Sequence, residues 1–172
     1  GDTIVTGGQS VIFPENVNIG TIDKIYFDAL CQFEVGESVV QHILTEGLVD
    51  FEYDVVSLFQ KDSLEIDDAD RKHLREYIEA DDATHYVITH GTDTMAETAR
   101  LLAEKVKGKT IVLTGAMIPI KFGSSDGLFN LGSALAFAQT LPAGTYVAMN
   151  GRWFYGNNVR KNKQTGLFEE IN

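Results

Sequence analysis

The feature that most constrains this chain is an alternation of two kinds of segment. Residues 51–59 read as an extended apolar run, and residues 67–80 as a helix with an Asp-rich start and Leu74, Tyr77 and Ile78 on one face. Residues 85–89 form a short β-branched and aromatic run bounded by Asp81-Asp82 and Gly91, hence a strand. Residues 94–106 carry Met95, Ala99, Leu102 and Val106 at helical spacing, and Gly108 stops them. A strand over 110–114, a Gly/Ser/Pro loop over 115–127, an apolar helix over 128–139 and a strand over 145–149 complete the pattern. Strands that are continuous apolar runs, alternating with helices, predict a mostly parallel sheet covered on both faces, the doubly wound α/β class.

In such sheets ligands bind where the carboxyl ends of the strands open into loops. Two polar loops fall there, 90–93 and 115–126, and the segment 150–163 can join them. With no repeat, low-complexity tract or Pro/Ser-rich linker, the 172 residues read as one domain, 1–172, in which 1–19 is an irregular segment of uncertain placement.

Composition narrows the partners. A net charge of −11 repels phosphate backbones, so no nucleic-acid partner is expected. A lone cysteine, Cys31, excludes an intramolecular disulfide framework and fits a reducing compartment. No apolar run approaches the roughly 18 residues needed to span a bilayer, so no membrane partner is expected. Gly1-Asp2-Thr3 lacks the basic and apolar parts of a secretory signal, and the expected location is cytoplasmic. His42, His73 and His85 lack metal-ligand spacing, and no dinucleotide, P-loop or nucleophile-elbow pattern occurs. No metal and no cofactor is therefore expected.

Four constellations carry polar chemistry. In His90-Gly91-Thr92-Asp93-Thr94-Met95-Ala96-Glu97-Thr98, Gly91 permits a tight turn, and Thr92, Asp93 or Thr94 can cap the next helix. A cap cluster alone explains these residues, although it needs fewer hydroxyls than are present. Gly20-Thr21 exposes a hydroxyl that becomes a nucleophile only beside a base. Lys161, next to Arg160, is a candidate base if its pKa is lowered, or else a solvated surface lysine. Lys61-Asp62-Ser63-Leu64-Glu65 can hold a carboxylate through a serine hydroxyl and backbone N–H groups, or is a plain polar loop. Thr114-Gly115-Ala116-Met117-Ile118-Pro119, running on to Ser125-Asp126-Gly127-Leu128-Phe129-Asn130, is by chemistry alone a strand-end loop and a helix start.

Together these residues resemble a known family. His90-Gly91-Thr92-Asp93-Thr94-Met95, with Glu97-Thr98-Ala99, is similar to a signature of the bacterial-type L-asparaginases and glutaminases. Gly115-Ala116-Met117 with Ser125-Asp126-Gly127 and Phe129-Asn130-Leu131 resembles that family's next block, and Gly20-Thr21-Ile22 its amino-terminal signature. The resemblance implies an asparaginase amino-terminal-domain fold, flavodoxin-like, and hydrolysis of L-asparagine to L-aspartate and ammonia, with weaker action on L-glutamine. It implies Thr21 as nucleophile, Tyr26 as the phenol that activates it, and Thr92, Asp93 and Lys161 as catalytic. Thr92 and Lys161 would form the base relay, and Asp93 would hold the substrate ammonium. Asp62, Ser63, Gly91, Thr92, Asp93 and Ala116 would bind substrate, Ser63 at the α-carboxylate and the Ala116 backbone at the scissile amide.

Three departures from the family pattern stand out. Asn18-Ile19, not Gly-rich sequence, precede Gly20-Thr21, and a separate Thr6-Gly7-Gly8 lies upstream. Tyr26 has the spacing of short-chain members, whereas a long-form alignment puts Phe33 at the phenol's place. The chain resembles the short single-domain form without a second domain, and a homo-oligomer, dimer or tetramer, is expected. The alternative reading is a catalytically weak amino-acid-binding or regulatory protein on the same fold. An amidotransferase subunit acting on charged tRNA also shares the fold, and the acidic charge argues against it.

Overall fold

A computed structural model describes residues 17–20, 23–27, 32–36, 40–59, 61–118 and 124–172. Their elements in chain order are β1 (Val17–Gly20), β2 (Asp23–Phe27), β3 (Gln32–Gly36), α1 (Val40–Glu46) and β4 (Tyr53–Val56). After a 3-10 turn (Ser63–Glu65) come α2 (Asp68–Ala80), β5 (His85–Thr89), α3 (Met95–Lys105), β6 (Thr110–Thr114) and α4 (Gly127–Thr140). The chain closes with β7 (Gly144–Met149), β8 (Arg152–Tyr155), β9 (Val159–Lys161) and β10 (Phe168–Glu170).

The main sheet has the order β4-β1-β5-β6-β7-β8, parallel except for β8. Its five parallel strands follow the flavodoxin-like order, with the direction of winding reversing between β1 and β5. The continuous apolar runs of β5, β6 and β7 serve two cores at once. Tyr86, Ile88, Ile111, Leu113, Val147 and Met149 meet Leu74, Ile78, Met95, Ala99 and Leu102 of α2 and α3. The alternate residues Val87, Val112, Tyr146 and Ala148 meet Val40 and Leu44 of α1 and Leu131, Ala134, Leu135 and Ala138 of α4. A period of two along each strand places successive side chains on opposite faces, so both faces need apolar residues.

Local signals set the helix ends. Asp67 accepts the N–H of Asp70 at 2.9 Å, and Asp70 returns the bond to Asp67 N–H at 3.1 Å, a reciprocal cap that starts α2. Asp70 also binds Lys61 at 2.8 Å, which holds its carboxyl below the ordinary range. Between β7 and β8, Asn150 and Gly151 take positive φ of 55° and 77°, as a two-residue hairpin turn requires.

The crossovers are not all of one hand. From β1 to β4 the chain steps one way with α1 on the second face, and from β4 to β5 and β5 to β6 it steps the other way with α2 and α3 on the first face. Those three therefore share one hand. The step from β6 to β7 goes in the same direction as the previous two but carries α4 on the second face, so its hand is opposite. Since parallel crossovers are right-handed in about 98% of cases, the β6–α4–β7 connection is the left-handed one.

The extended run over 51–59 contracts to Tyr53–Val56. The irregular segment expected over 1–19 gives way at 17–20, which forms β1 between β4 and β5. Four residues suffice there because both backbone edges are paired.

Candidate active site

The loop after β5 extends the sheet by one bond, His90 N–H to Thr114 O at 2.8 Å, and then turns into α3. Gly91 is required at the turn: a Cβ there would lie 2.6 Å from both Cβ and Oγ of Ser63. The hydroxyls that follow do not behave as helix caps. Thr94 occupies the N-cap position of α3 without a side-chain cap bond, and its hydroxyl instead donates to Ser63 O at 2.6 Å. That bond ties the 3-10 turn after β4 to the loop after β5.

Lys161 joins these loops from the far end of the chain. The β7–β8 hairpin and the following turn bring the chain back, Gly156 N–H donating to Thr145 O at 2.8 Å, and β9 pairs with β10. From β9, Lys161 Nζ donates to Thr92 Oγ1 at 2.8 Å and to Asp93 Oδ1 at 2.7 Å. The lysine side chain is 17% exposed and the Asp93 side chain 45%, so the ion pair opens to solvent on the aspartate side. Thr92 is buried. Arg160 does not supply a positive neighbour: its guanidinium binds Glu169 at 2.8–2.9 Å, which leaves Lys161 facing a hydroxyl and a carboxylate.

Ser63 is buried, and its Oγ has no hydrogen-bond partner among the described residues. A buried hydroxyl without a partner is a costly arrangement that a ligand would relieve. Asp62 is engaged differently, capping the 3-10 turn by accepting Leu64 N–H at 2.9 Å. Ala116 lies in the loop after β6, and the carbonyl of Gly115 before it accepts Asn130 Nδ2 at 2.9 Å. Tyr26 lies on β2, its backbone partner on β3 being Phe33, the other position considered for the activating phenol. Thr21 lies outside the described residues; Gly20, just before it, ends β1 in register with Ile88 of β5.

A buried network under the loop escaped the sequence reading. His90 Nδ1 lies 2.7 Å from Gly91 O, which can only accept, so Nδ1 carries the proton. Nε2 then accepts from Thr98 Oγ1 at 3.0 Å, and Thr98 in turn accepts Arg71 Nε–H at 3.2 Å. Burial pushes the His90 pKa down to about 4, which keeps the ring neutral. Arg71 is buried and binds Glu97 at 3.0 Å. An arginine on the same helix face as Leu74 and Ile78 was the available signal. Among the described residues no cluster of three or more His, Cys, Asp or Glu could hold a metal ion, and no helix is long and apolar enough to cross a membrane.

Fold and site thus define an α/β protein whose parallel strands present hydroxyls and a carboxylate at their carboxyl ends, met there by a lysine from β9. Residues 20–170 match the family described as asparaginase, N-terminal, and the chain belongs to that family. L-asparaginase 1 of Escherichia coli K12 is 38% identical over 111 residues, 62% of this chain and 33% of its own length. The glutaminase-asparaginase of Acinetobacter glutaminasificans is 48% identical over 79 residues, 44% of this chain and 24% of its own. The structure of the thermostable L-asparaginase from Thermococcus kodakarensis superposes with a TM-score of 0.78 at 27% identity, over 92% of this chain and 51% of that one. L-asparaginase I from Vibrio cholerae gives a TM-score of 0.80 at 27% identity, over 92% and 52%. The chain spans about half of those solved chains and about a third of the Escherichia coli enzyme.

Proposed function

We propose that this chain hydrolyses the side-chain amide of L-asparagine to L-aspartate and ammonia through a threonine acyl-enzyme. The observation that carries the proposal is the single amine of Lys161 held between the Thr92 hydroxyl and the Asp93 carboxylate. With its amine neutral, Lys161 accepts the Thr92 hydroxyl proton while Thr92 oxygen takes a proton from the attacking Thr21 hydroxyl, a two-step relay of general-base type. Thr21 attacks the amide carbon, ammonia leaves with a proton returned along the relay, and water then releases L-aspartate from the ester. Backbone N–H groups beside Thr21 and Thr92 stabilise the oxyanion. Asp93 binds the substrate ammonium, the Ser63 hydroxyl the α-carboxylate and the Ala116 backbone the amide, with Asp62 and Gly91 shaping the pocket and Tyr26 activating Thr21.

The relatives, L-asparaginases and a glutaminase-asparaginase, support the substrate class. L-Glutamine is the weaker substrate in this reading, one methylene being worth about 1–3 kcal/mol. A cytoplasmic homo-oligomer belongs to the same proposal, and light scattering of the chain at micromolar concentration tests the oligomer. The decisive experiment is ammonia release from L-asparagine by wild type, Thr21→Ala and Lys161→Met. Turnover abolished in both variants supports the enzyme. Wild-type protein that binds L-aspartate and releases no ammonia would be the amino-acid-binding alternative instead.

A further inference from the structure

The loop after β6 is held in an unusual way. Asp126 stands at the N-cap of α4, where an aspartate ordinarily accepts the first free N–H groups of the helix. Its side chain makes no such bond. The carboxylate turns instead to the loop, taking Met117 N–H at 2.9 and 3.1 Å and Ile118 N–H at 3.0 Å. Asn130, one turn into α4 and fully buried, completes the hold. Its Nδ2 donates to Asp126 Oδ2 at 2.8 Å and to Gly115 O at 2.9 Å, and its Oδ1 accepts Asn150 N–H at 3.0 Å. Both amide hydrogens and the oxygen are used, so the amide has one orientation.

The residue between the fastened positions is Ala116. Gly115 is tied through its carbonyl, and Met117 and Ile118 through their N–H groups. Among the described residues neither the N–H nor the C=O of Ala116 has a hydrogen-bond partner. Each of the two peptides that meet at Ala116 is thus held at its far end, through Gly115 O and Met117 N–H, and the N–H and C=O of Ala116 are left to face a ligand without freedom to swing. Rigid presentation of this kind is what orientation of a reacting group requires.

We infer that Asp126 and Asn130 are positioning residues that aim the Ala116 backbone at the leaving amide of the substrate. The inference rests on the amidohydrolase reading above. It forgoes a helix cap for loop geometry, and it makes the left-handed β6–α4–β7 connection part of the site, since the first turn of α4 is brought against the loop it must hold.

The test uses the intact chain with Asp126→Asn and Asp126→Ala, at a half-buried position, with Tm read on each variant. L-Aspartate serves as the second probe, because it fills the carboxylate and ammonium subsites but has no amide. Expected is a kcat for L-asparagine lowered about 10- to 100-fold, with the L-aspartate Kd and Tm nearly unchanged. Asn130→Asp, which sets a carboxylate against Gly115 O and Asp126, gives the same split if it folds, and the Asp126 variants decide the matter if it does not. An unchanged kcat in the Asp126 variants overturns the positioning role, as does a parallel fall of kcat, L-aspartate affinity and Tm. Wild-type protein without turnover overturns the reading of the site beneath it.

Discussion

Lys109 lies at the amino end of the main sheet, and Lys161 reaches its carboxyl end from β9; both tie loops together, yet their partners differ in kind. At the amino end, Lys109 Nζ donates to the carbonyls of Asp81 and Ala83, the latter at 2.7 Å, and lies 3.2 Å from the Tyr86 hydroxyl. The Tyr86 hydroxyl is itself 3.0 Å from Asp81 Oδ2 and 2.9 Å from Ala83 O. Burial, then the hydrogen bond and charge of Asp81, push the phenol pKa up, so the Tyr86 hydroxyl keeps its proton near neutral pH. At the carboxyl end Lys161 faces a hydroxyl, which can donate or accept, and a carboxylate. Carbonyls fix a lysine as a fastener. The hydroxyl and open carboxylate beside Lys161 are partners of the kind the proposed proton relay requires.

The sharpest way to break this contrast is to remove each amine. Lys161→Met is expected to lower kcat/KM for L-asparagine by about 10²–10⁴-fold, the usual worth of a positioned base, and to move Tm by no more than about 2–4 °C. Lys109→Met should do the reverse, keeping turnover while losing about 1 kcal/mol of stability, because the part-buried carbonyls of Asp81 and Ala83 lose the bonds donated by the amine. Urea unfolding and a coupled ammonia assay read both; a Lys109→Met protein with intact Tm and no turnover would mean that the two ends are not independent.

His90 tests whether the carboxyl end also contains purely structural groups. Its pKa is lowered from 6.5 to about 4, so the unfolded chain takes up a proton at higher pH than the folded one. Its contribution is therefore full above pH 6.5 and is lost as pH falls from there toward 4, by about 3 kcal/mol in total. His90→Gln should flatten that part of the urea-midpoint profile. An unchanged slope would show that His90 is not the titrating group.

Ser63→Ala gives the smallest effect and the finest distinction. The Oγ has no partner among the described residues, so Tm should stay within about 2 °C, while L-aspartate binding weakens about tenfold with the loss of one hydrogen bond to a charged group. Calorimetric titration showing equal affinity would remove Ser63 from the carboxylate subsite.

Much of the architecture was readable along the chain. β5 and β6 fall at the residues predicted, 85–89 and 110–114, because strands buried on both faces leave unbroken apolar runs. The helices α2 and α3 agree to within a residue at each end, since their caps and spacing are local. By contrast, Val17–Gly20 has only two large apolar side chains, and its status as a strand comes from neighbours some 35 and 70 residues away in sequence, which no local pattern encodes. The short β8, β9 and β10 were missed for a different reason: they pair with near neighbours in sequence, but at three or four residues each they are too short to show a pattern.

The site divides along the same line. Which residues carry hydroxyl, carboxylate and amine chemistry was fixed by sequence, and the resemblance named Thr92, Asp93, Ser63 and Lys161 from it. That Lys161 reaches Thr92 and Asp93, that Thr94 holds Ser63 instead of capping α3, and that Asp126 abandons its own helix for Met117 and Ile118 were decided by the fold. Hydrogen bonds between such distant residues depend on where the crossovers return the chain. A linear pattern records the donors and acceptors, and only the packed sheet determines which of them meet.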